Sequence, residues 1–341
     1  HGRELGDLLP AQPGCPASCA GCEPHVLGAQ GLAAAAEEVG ESGAVHVAMV
    51  AGHGRAGPPI RRPEPGSVDP PITAPLPPGR DGPHGGRMDI TTSTVFIPGA
   101  TSGIGLALAL ALHRAGSTVV VGGRRPELLE QIAAEHPGVG AVHIDTTDPA
   151  SIRAAADEVL ERWPALDTLI TMAGVMQVED WHHPDGFLTS AERILTTNVL
   201  GPVRLIGAFV EHLQTRPAAT IMTVSSGLAF APLRVTPSYN ASKAAIHMLS
   251  ESLRLQLADT SVRVVELAPP AVQTDLLPGQ ATSEHAMPLD AFVDEVMGIL
   301  RDQPDAEEVL VERVKFLRFG EARGDYAQVV AALNVRDPHG R

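Results

Sequence analysis

The chain has 341 residues, of which 44% are hydrophobic, so it can bury a sizeable core in one large domain or two. Acidic residues outnumber basic ones by 40 to 25, for a formal net charge of −15, which argues against binding to a nucleic-acid backbone. The longest apolar run, around 104–112, is shorter than the roughly 18 residues that span a bilayer. With no signal-peptide layout at the N-terminus either, we expect neither a membrane nor a nucleic-acid partner.

Residues 1–87 differ in composition from the rest of the chain. Prolines and glycines crowd this segment, for example at Pro58-Pro59 and over 75–83, and such a composition cannot pack a core that offsets the chain entropy. We expect a disordered tail outside the functional part, with at most a short helix over 32–39 and a short strand over 44–50. Met88 directly precedes the first convincing strand, so residues 88–341 are predicted to form a single domain.

All three cysteines lie in this tail, as Cys15, Cys19 and Cys22, with His25 three residues further on. Such spacing also occurs at iron–sulfur sites and zinc clips, but the surrounding segment predicts no fold that would hold the ligands. A chance cluster is the favoured interpretation, and no metal site is expected. Because the remainder of the chain has no cysteine, it needs no disulfide, which fits a reducing cytoplasm.

The first predicted strand, over 91–97, runs into the segment 98–105 (Pro-Gly-Ala-Thr-Ser-Gly-Ile-Gly) and then into an apolar helix that ends at Gly116. A strand, a glycine turn and a helix form the first half of a βαβ unit. The glycines let the backbone approach a pyrophosphate, which binds at the helix N-terminus because free N–H groups there favour an anion. The spacing is Gly-x3-Gly-x-Gly, and its position between strand and helix strengthens the signal.

The second predicted strand, over 117–121, ends at Gly122-Gly123-Arg124-Arg125. In dinucleotide-binding folds an acidic residue at this point holds the adenosine ribose, whereas a basic residue accepts a 2′-phosphate. Two arginines stand here without an acid, and the planar guanidinium suits a phosphate. The sequence therefore favours NADP(H) over NAD(H), with a solvated turn as the alternative interpretation.

Strands and helices alternate to the end of the chain. Further helices are predicted over 126–135, 149–163, 190–214, 238–257, 288–301 and 320–333, and further strands over 141–144, 166–171, 219–224, 262–267 and 308–312. Seven such strands predict an α/β fold with a doubly wound (Rossmann), mostly parallel sheet covered by helices on both faces. Ligands of such sheets bind at the carboxyl ends of the strands, where Asp145, Gly174, Ser226 and Pro269 fall.

Tyr239 and Lys243 stand one turn apart at the start of a predicted helix, thirteen residues after Ser226. A phenol beside an ammonium is a candidate proton donor, because a nearby positive charge favours the phenolate and lowers the pKa of the tyrosine. Taken alone, such a pair is more often a surface pair than a site.

Together these residues resemble the short-chain dehydrogenase/reductase family, and most of all its DltE-like branch. The resemblance covers residues 88–275 and excludes the tail. It rests on features that stand in the family's order and spacing: the glycine turn, Asp145, Ala173-Gly174, Asn198, Ser226, Tyr239-x3-Lys243 and Pro269…Thr274.

The resemblance implies an NAD(P)-dependent enzyme that interconverts a carbonyl and an alcohol. Tyr239 would be the general acid or base, Lys243 would lower its pKa and hold the nicotinamide ribose, and Ser226 would bind the substrate oxygen in preference to Ser225. Asn198 would fix a water that relays protons through Lys243. The cofactor-binding residues that the family pattern implies are Gly99, Thr101, Ser102, Gly103, Ile104, Gly105, Arg124, Arg125, Asp145, Thr146, Ala173, Gly174, Tyr239, Lys243, Pro269, Val272 and Thr274.

Three residues depart from the family pattern. Pro98 replaces a threonine before the glycine turn, Met172 replaces the asparagine of Asn-Ala-Gly, and Pro270 replaces a glycine and stiffens the loop. Of these, Met172 is expected to weaken the cofactor site most, since a contact that stabilises the central strand would be lost. These departures keep an alternative open, namely a non-catalytic NADP(H)-binding sensor or interaction module on the same fold.

The substrate is a small carbonyl or alcohol compound in this interpretation, and its pocket would be formed by the segment 275–289. Leu276, Leu277 and Met287 suggest a partly apolar pocket. Relatives of this kind form dimers or tetramers through the helices around Asn198 and Tyr239, so a homodimer or homotetramer is expected.

Overall fold

The structure is a computed structural model, which describes residues 88–335. The short helix and strand expected in the tail, and the cluster from Cys15 to His25, lie outside the described residues. Within 88–335 the seven strands are β1 (Thr94–Pro98), β2 (Thr118–Gly123), β3 (Gly140–His143), β4 (Thr168–Thr171), β5 (Ala219–Val224), β6 (Val262–Leu267) and β7 (Glu308–Val309).

The strands form one sheet in the order β3-β2-β1-β4-β5-β6-β7, and all six pairings are parallel. Chain order runs outwards in both directions from the contact between β1 and β4, which is the topology of a doubly wound sheet. The predicted fold class is therefore confirmed. The carboxyl ends of β1 and β4 lie side by side, and this is where a ligand crevice is expected.

The helices of the described chain are α1 (Gly103–Ala115), α2 (Pro126–Glu135), α3 (Pro149–Arg162), α4 (Leu188–Leu195), α5 (Gly201–Gln214), α6 (Pro237–Gln256), α7 (Leu289–Asp302), α8 (Lys315–Arg318), α9 (Gly320–Arg323) and α10 (Tyr326–Val335). Helices α1, α2 and α7 pack in one apolar layer with the sheet, and α3 and α5 in another. Phe96 of β1 and Phe209 of α5 meet with ring centres 5.5 Å apart in the second layer. Aliphatic side chains fill most of both layers, which is how a chain with only 3% aromatic residues still has a core.

Three predicted elements differ from the observed ones. The helix predicted over 190–214 is interrupted by a π-helical turn, Thr196–Leu200, between α4 and α5. The last predicted helix is divided into α9 and α10 because Gly324 adopts a left-handed φ of 79°, which ends α9. The final strand stops at Val309, since the chain turns into a 3₁₀ segment at Glu312–Val314.

The last helix is fastened to the loop that precedes α6. The side chain of Asn334 donates a 3.0 Å hydrogen bond to the carbonyl oxygen of Pro232 and accepts a 2.7 Å bond from the backbone N–H of Arg234. The end of the described chain therefore supports the segment that leads to Tyr239.

The helical stretch Leu188–Gln214 is long and apolar enough to cross a membrane when judged by those two properties alone. In this fold its inner side chains, such as Leu205 and Phe209, are fully buried in the second apolar layer. Many of the apolar side chains of this stretch are therefore part of the protein core.

Candidate active site

Residues from the carboxyl ends of six strands meet in one cleft of about 600 Å³. Every cofactor-binding residue expected from the sequence lines this cleft, and so does Ser226. Asn198 is not among the lining residues and lies buried behind them. The expected residues on the cleft wall are Gly99, Thr101, Ser102, Gly103, Ile104, Gly105, Arg124, Arg125, Asp145, Thr146, Ala173, Gly174, Ser226, Tyr239, Lys243, Pro269, Val272 and Thr274.

The turn after β1 has a shape that only glycine allows. Gly99 has a left-handed φ of 92°, and a Cβ atom there would lie 2.5 Å from the Cα atom of Ala173. At the start of α1, the Ser102 side chain makes no capping hydrogen bond and the first turn carries no acidic residue. A close backbone approach beside an uncapped helix N-terminus is what a dinucleotide pyrophosphate requires, so these residues fit that group.

The two arginines lie at the β2 end of the cleft, and both are exposed. Nη2 of Arg125 donates a 3.0 Å hydrogen bond to the Thr101 hydroxyl. Arg124 lies close enough to Asp145 to act on its ionisation. Burial raises the pKa of Asp145, but hydrogen bonds from Thr147 and the positive charge of Arg124 together outweigh it and lower the pKa below the ordinary value. This part of the cleft therefore holds one carboxylate and two guanidinium groups.

Helix α6 places Tyr239 and Lys243 at the inner end of the cleft, where only 6% and 5% of their surfaces are exposed. Nζ of Lys243 lies 5.5 Å from the centre of the Tyr239 ring and donates a 2.8 Å hydrogen bond to the carbonyl oxygen of Val224. Burial raises the pKa of Tyr239 to about 12, and a hydrogen bond with Ser226 lowers it only in part. Burial also lowers the pKa of Lys243 to about 8.

The net shift of the Tyr239 pKa is therefore opposite in direction to the one expected. The sequence suggested a lowered tyrosine pKa, but removal of water from the buried ring disfavours the phenolate more than its neighbours favour it. The ammonium is itself desolvated, but a pKa of about 8 leaves it mostly charged at neutral pH.

The structure distinguishes the two neighbouring serines at the end of β5. The Ser226 hydroxyl lies beside the Tyr239 side chain, close enough to lower the pKa of the phenol, and accepts a 3.1 Å bond from the backbone N–H of Leu228. The Ser225 hydroxyl instead donates to the buried carboxylate of Glu266. Ser226 therefore faces the tyrosine, whereas the proton of Ser225 is already engaged inside the protein.

Asn198 sits in the π-helical turn and is 1% exposed. Its Oδ1 accepts a 2.8 Å hydrogen bond from the N–H of Val175, and its Nδ2 donates to the Val175 carbonyl oxygen and to the Ser242 hydroxyl. The amide thus joins the end of β4 to α6. Oδ1 of Asn198 and Nζ of Lys243 both approach Gly174, at 3.5 and 3.7 Å from where its Cβ would be.

The three departures from the family pattern have different surroundings. Pro98 is the last residue of β1, and the next two N–H groups both donate to the carbonyl oxygen of Gly122. Met172 packs against the glycine turn, with Cγ 2.9 Å from where a Cβ of Gly105 would be, so an apolar contact stands where the asparagine contact was expected. Pro270 lines the cleft beside Pro269.

The far wall of the cleft comes from the segment after β6. Of the three apolar residues expected there, only Leu276 lines the cleft, while Leu277 is buried and Met287 packs against the core. Gln280 reaches over this loop and donates a 2.7 Å hydrogen bond to the Val272 carbonyl oxygen. The sequence pattern missed several lining residues, because loop and helix residues carry no spacing signal: Met176, Arg193, Thr197, Gln273, Gln280, Ala281 and Leu289.

A glycine-lined cleft across the carboxyl ends of a doubly wound sheet, with a buried serine–tyrosine–lysine group at one end, defines a dinucleotide-dependent oxidoreductase. The chain belongs to the short chain dehydrogenase family, whose model matches residues 93–285. It is an enzyme that acts on CH–OH and C=O groups with NAD(P).

Comparison with known proteins agrees with this assignment. The chain is 34% identical over 254 residues to the uncharacterized oxidoreductase DltE of Bacillus subtilis, covering 73% of this chain and 100% of the relative. A short chain dehydrogenase from Burkholderia cenocepacia, solved in complex with NADP, has 27% identity and a TM-score of 0.62, covering 72% of this chain and 99% of that one. The NADPH-bound carbonyl reductase from chicken fatty liver has 27% identity and a TM-score of 0.56, with coverages of 64% and 93%.

Proposed function

We propose that this protein is an NADP(H)-dependent reductase of small carbonyl compounds in which Tyr239 is the general acid. The observation that carries the proposal is the grouping of Ser226, Tyr239 and Lys243 at the buried end of the cleft, with the serine close enough to the tyrosine to act on its ionisation. The enzyme class makes a non-catalytic sensor module unnecessary as an explanation.

NADPH, when bound, supplies the hydride. The glycine turn and the N-terminus of α1 would hold its pyrophosphate, Arg124 and Arg125 its 2′-phosphate, and Lys243 its nicotinamide ribose. The sequence at the end of β2 carries two arginines and no acidic residue, which supports a preference for NADP(H) over NAD(H); Asp145, near Arg124, comes from the end of β3.

The protein's own part is to bind and protonate the substrate oxygen. Ser226 and Tyr239 present two hydroxyl groups to that oxygen, and the phenol gives up its proton as negative charge develops there. The phenol is protonated at neutral pH, so it has a proton to give to the substrate oxygen. Asn198 holds the end of β4 in place and so keeps Gly174 open beside Lys243.

The cofactor preference is tested by fluorescence titration of the full-length protein with NADPH and NADH. We expect NADPH to bind at least about tenfold more tightly, because a 2′-phosphate paired with a guanidinium is worth roughly 1.5–3 kcal/mol. The double variant R124A/R125A should lose most of this difference, while R162A on α3, a residue that does not line the cleft, should keep it. Equal affinities for the two dinucleotides in the unaltered protein would refute the preference.

The role of Tyr239 is tested with benzaldehyde, acetophenone, ethyl acetoacetate and pyruvate as carbonyl probes, read by loss of NADPH absorbance. Tyr239→Phe should reduce turnover of any accepted probe by roughly 10²–10⁴-fold while NADPH still binds, because only the proton donor is removed. Turnover retained by this variant would show that another group protonates the substrate.

We also propose a homodimer or homotetramer formed through α5 and α6. Val203 on α5 and Leu200 directly before it are exposed, and Met248 and Leu255, seven residues apart and so on one face, are exposed on α6. Light scattering coupled to gel filtration tests this, and Leu255→Glu should shift the protein toward the monomer. A wild-type monomer at tens of micromolar would end the proposal.

We propose further that residues 88–341 are the functional unit and that the protein works in the cytoplasm. The family match begins at residue 93, and the part of the chain from Met88 onward has no cysteine, so nothing there depends on an oxidising compartment. A variant that starts at Met88 should bind NADPH as the full chain does, and cell fractionation tests the compartment. A truncated chain without NADPH affinity would place residues 1–87 in the functional unit.

A further inference from the structure

A buried carboxylate lies directly behind the active-site serines. Glu266, on β6, has no exposed surface, and its two oxygens accept hydrogen bonds from different elements. The Ser225 hydroxyl at the end of β5 donates to Oε1, and Nδ1 of His247 on α6 donates to Oε2 at 2.8 Å. A guanidinium nitrogen of Arg254 lies 3.7 Å from the same carboxylate. A buried charge of this kind is tolerated only when it is paired and hydrogen-bonded, so each partner matters.

The histidine continues this contact network to the loop after Ser226. The His247 ring packs edge-on against the ring of Phe230, with centres 4.6 Å apart. The Phe230 ring also contacts Arg318, whose guanidinium lies 4.5 Å from the ring centre. Arg318 in turn donates hydrogen bonds of 2.8 and 3.1 Å to the carboxylate of Glu308. The segment from Ser225 to Phe230 is therefore held at both ends by one group of charged side chains.

This group joins the elements that carry the reacting residues. Ser225 precedes Ser226 directly, His247 stands one helical turn after Lys243 on α6, and Glu266 lies on the strand that ends before Pro269. The carbonyl oxygen of Pro269 in turn accepts a 2.9 Å bond from the N–H of Gly227. A single carboxylate thus links the serine strand, the tyrosine–lysine helix and the strand after them.

We propose that Glu266 and His247 are positioning residues for the reduction, which set the distance between Ser226 and Tyr239 by tying the end of β5 to α6. The proposal rests on the proposed function and adds to it two residues that do not touch substrate. Neither residue lines the cleft, so their effect must pass through the serine loop and the helix.

The contact between His247 and Glu266 depends on pH. The groups that face His247 are Glu266 on β6, Glu308 on β7 and Arg318 on α8. The hydrogen bond to Glu266 raises the pKa of His247 above its ordinary 6.5 more than burial and Arg318 lower it. The His247–Glu266 ion pair is therefore complete below pH 6.5 and is lost as the pH rises through the raised pKa. Arg254 then remains as the near positive charge, at the longer distance of 3.7 Å.

Ligand atoms of His247, Glu266 and Glu308 lie within 4.8 Å of one another, a spacing that also suits a cation. Arg318 already binds Glu308 through two nitrogens, and His247 and Arg254 balance Glu266. Positively charged side chains of the protein thus already pair with these carboxylates. We call this cluster of His247, Glu266, Glu308 and Arg318 the brace, because it holds the end of β5 against α6.

The test uses Glu266→Gln in the full-length protein, with Glu158→Gln on the exposed face of α3 as the matched control. Glutamine keeps the shape and can still accept from Ser225, but it removes the charge. We expect kcat for the most rapidly reduced carbonyl probe to fall about ten- to a hundredfold, as for a misplacement of about an ångström. KM and NADPH affinity should stay within roughly twofold, since no binding group is lost. The control should change none of these.

A second readout reports the network without turnover. NMR titration of the imidazole signals, with that of His247 identified by its absence in His247→Gln, should show a pKa above 6.5 in the wild type and a lower one in Glu266→Gln. His247→Gln retains a donor for the carboxylate but no charge, so the fall of kcat that follows His247 deprotonation in the wild type should be absent from its pH profile. This variant also serves if Glu266→Gln does not fold.

The outcomes separate the two proposals. Wild-type kcat and an unchanged pH profile in the folded Glu266→Gln and His247→Gln variants would overturn the positioning role. If Tyr239→Phe keeps its turnover in the same series, the proposed proton donor fails instead, and the His247 titration still reports whether the brace exists. An imidazole pKa at 6.5 in the wild type would also count against the brace.

Discussion

Replacing Gly99 with alanine should be among the most damaging single-methyl changes in this protein. The residue combines a φ of 92° with a position at the carboxyl end of β1, and the added Cβ would lie 2.5 Å from Cα and 2.6 Å from N of Ala173. Both are backbone atoms, so no side chain can rotate out of the way. The contact is almost an ångström short of the 3.4 Å at which ordinary contact begins.

The magnitude follows from two separate costs. A left-handed conformation costs an alanine roughly 1–2 kcal/mol, and overpacking of this kind costs a further 1–3 kcal/mol or so. We expect Gly99→Ala to lower the free energy of unfolding by about 3 kcal/mol. Relief of the overlap moves Ala173, and with it Gly174 on the cleft wall, so NADPH affinity should fall as well.

The assay is urea unfolding of the full-length protein, with NADPH titration beside it. Gly298→Ala on α7 is the control, because its Cβ would meet only the far end of Arg301, at 3.9 Å, in a helix interior. That change should raise stability by about 0.5–1 kcal/mol, since alanine has the higher helix propensity. If Gly99→Ala left the unfolding midpoint and NADPH binding as in the wild type, our account of the turn would be refuted.

Three further predictions concern the site and its support. Lys243→Met should raise stability by about 1 kcal/mol at pH 7, because a lysine whose pKa falls from 10.5 to about 8 makes folding costly below pH 8, and an unpaired Val224 carbonyl offsets only part of that gain. The advantage should shrink between pH 8 and 10.5 in urea titrations, and a destabilised variant at pH 7 would contradict it. Gly174→Ala has room for its methyl group between Asn198 and Lys243, so the variant should fold normally. The methyl group would occupy space on the cleft wall beside Lys243, so kcat should fall at least about tenfold. An unchanged kcat would mean that the reaction does not need this space. Asn334→Ala removes two hydrogen bonds between α10 and the loop before α6, and should lower the free energy of unfolding in urea by about 1–2 kcal/mol. An unchanged free energy of unfolding would show that these bonds contribute little to stability.

The fold could be predicted from the sequence because each strand is short, apolar and followed by a turn signal. The bounds of α2, β5 and β6 agree with the expected ones, since proline, serine–glycine or alanine–proline steps mark their ends. The π-helical turn could not be predicted, because its residues suit an α-helix equally well and only packing against β4 and α6 selects it. The left-handed conformation of Gly324 could not be predicted either, because the apolar pattern of a helix continues past this residue.

The site shows the same division between pattern and packing. The residues that the family resemblance implied for the cofactor all line one cleft. Sequence spacing could not give the direction of the tyrosine pKa, because that depends on how much water the fold removes from the ring. Nor could it show that Ser225 turns toward Glu266, forty-one positions further along the chain, a contact that only the neighbouring strands β5 and β6 create.

The interruption of the helix at Thr196–Leu200 has a consequence for chain length. A π-helical turn holds one residue more than an α-helical turn, so α4 and α5 are two helical segments out of phase by one residue. Deleting one residue of that turn other than Asn198 would merge them into a regular helix and rotate one segment against the other by about 100°. The amide of Asn198 would then point away from Val175, although the composition would barely change. Any graft or alignment of this helix must therefore preserve its residue count as well as its residues.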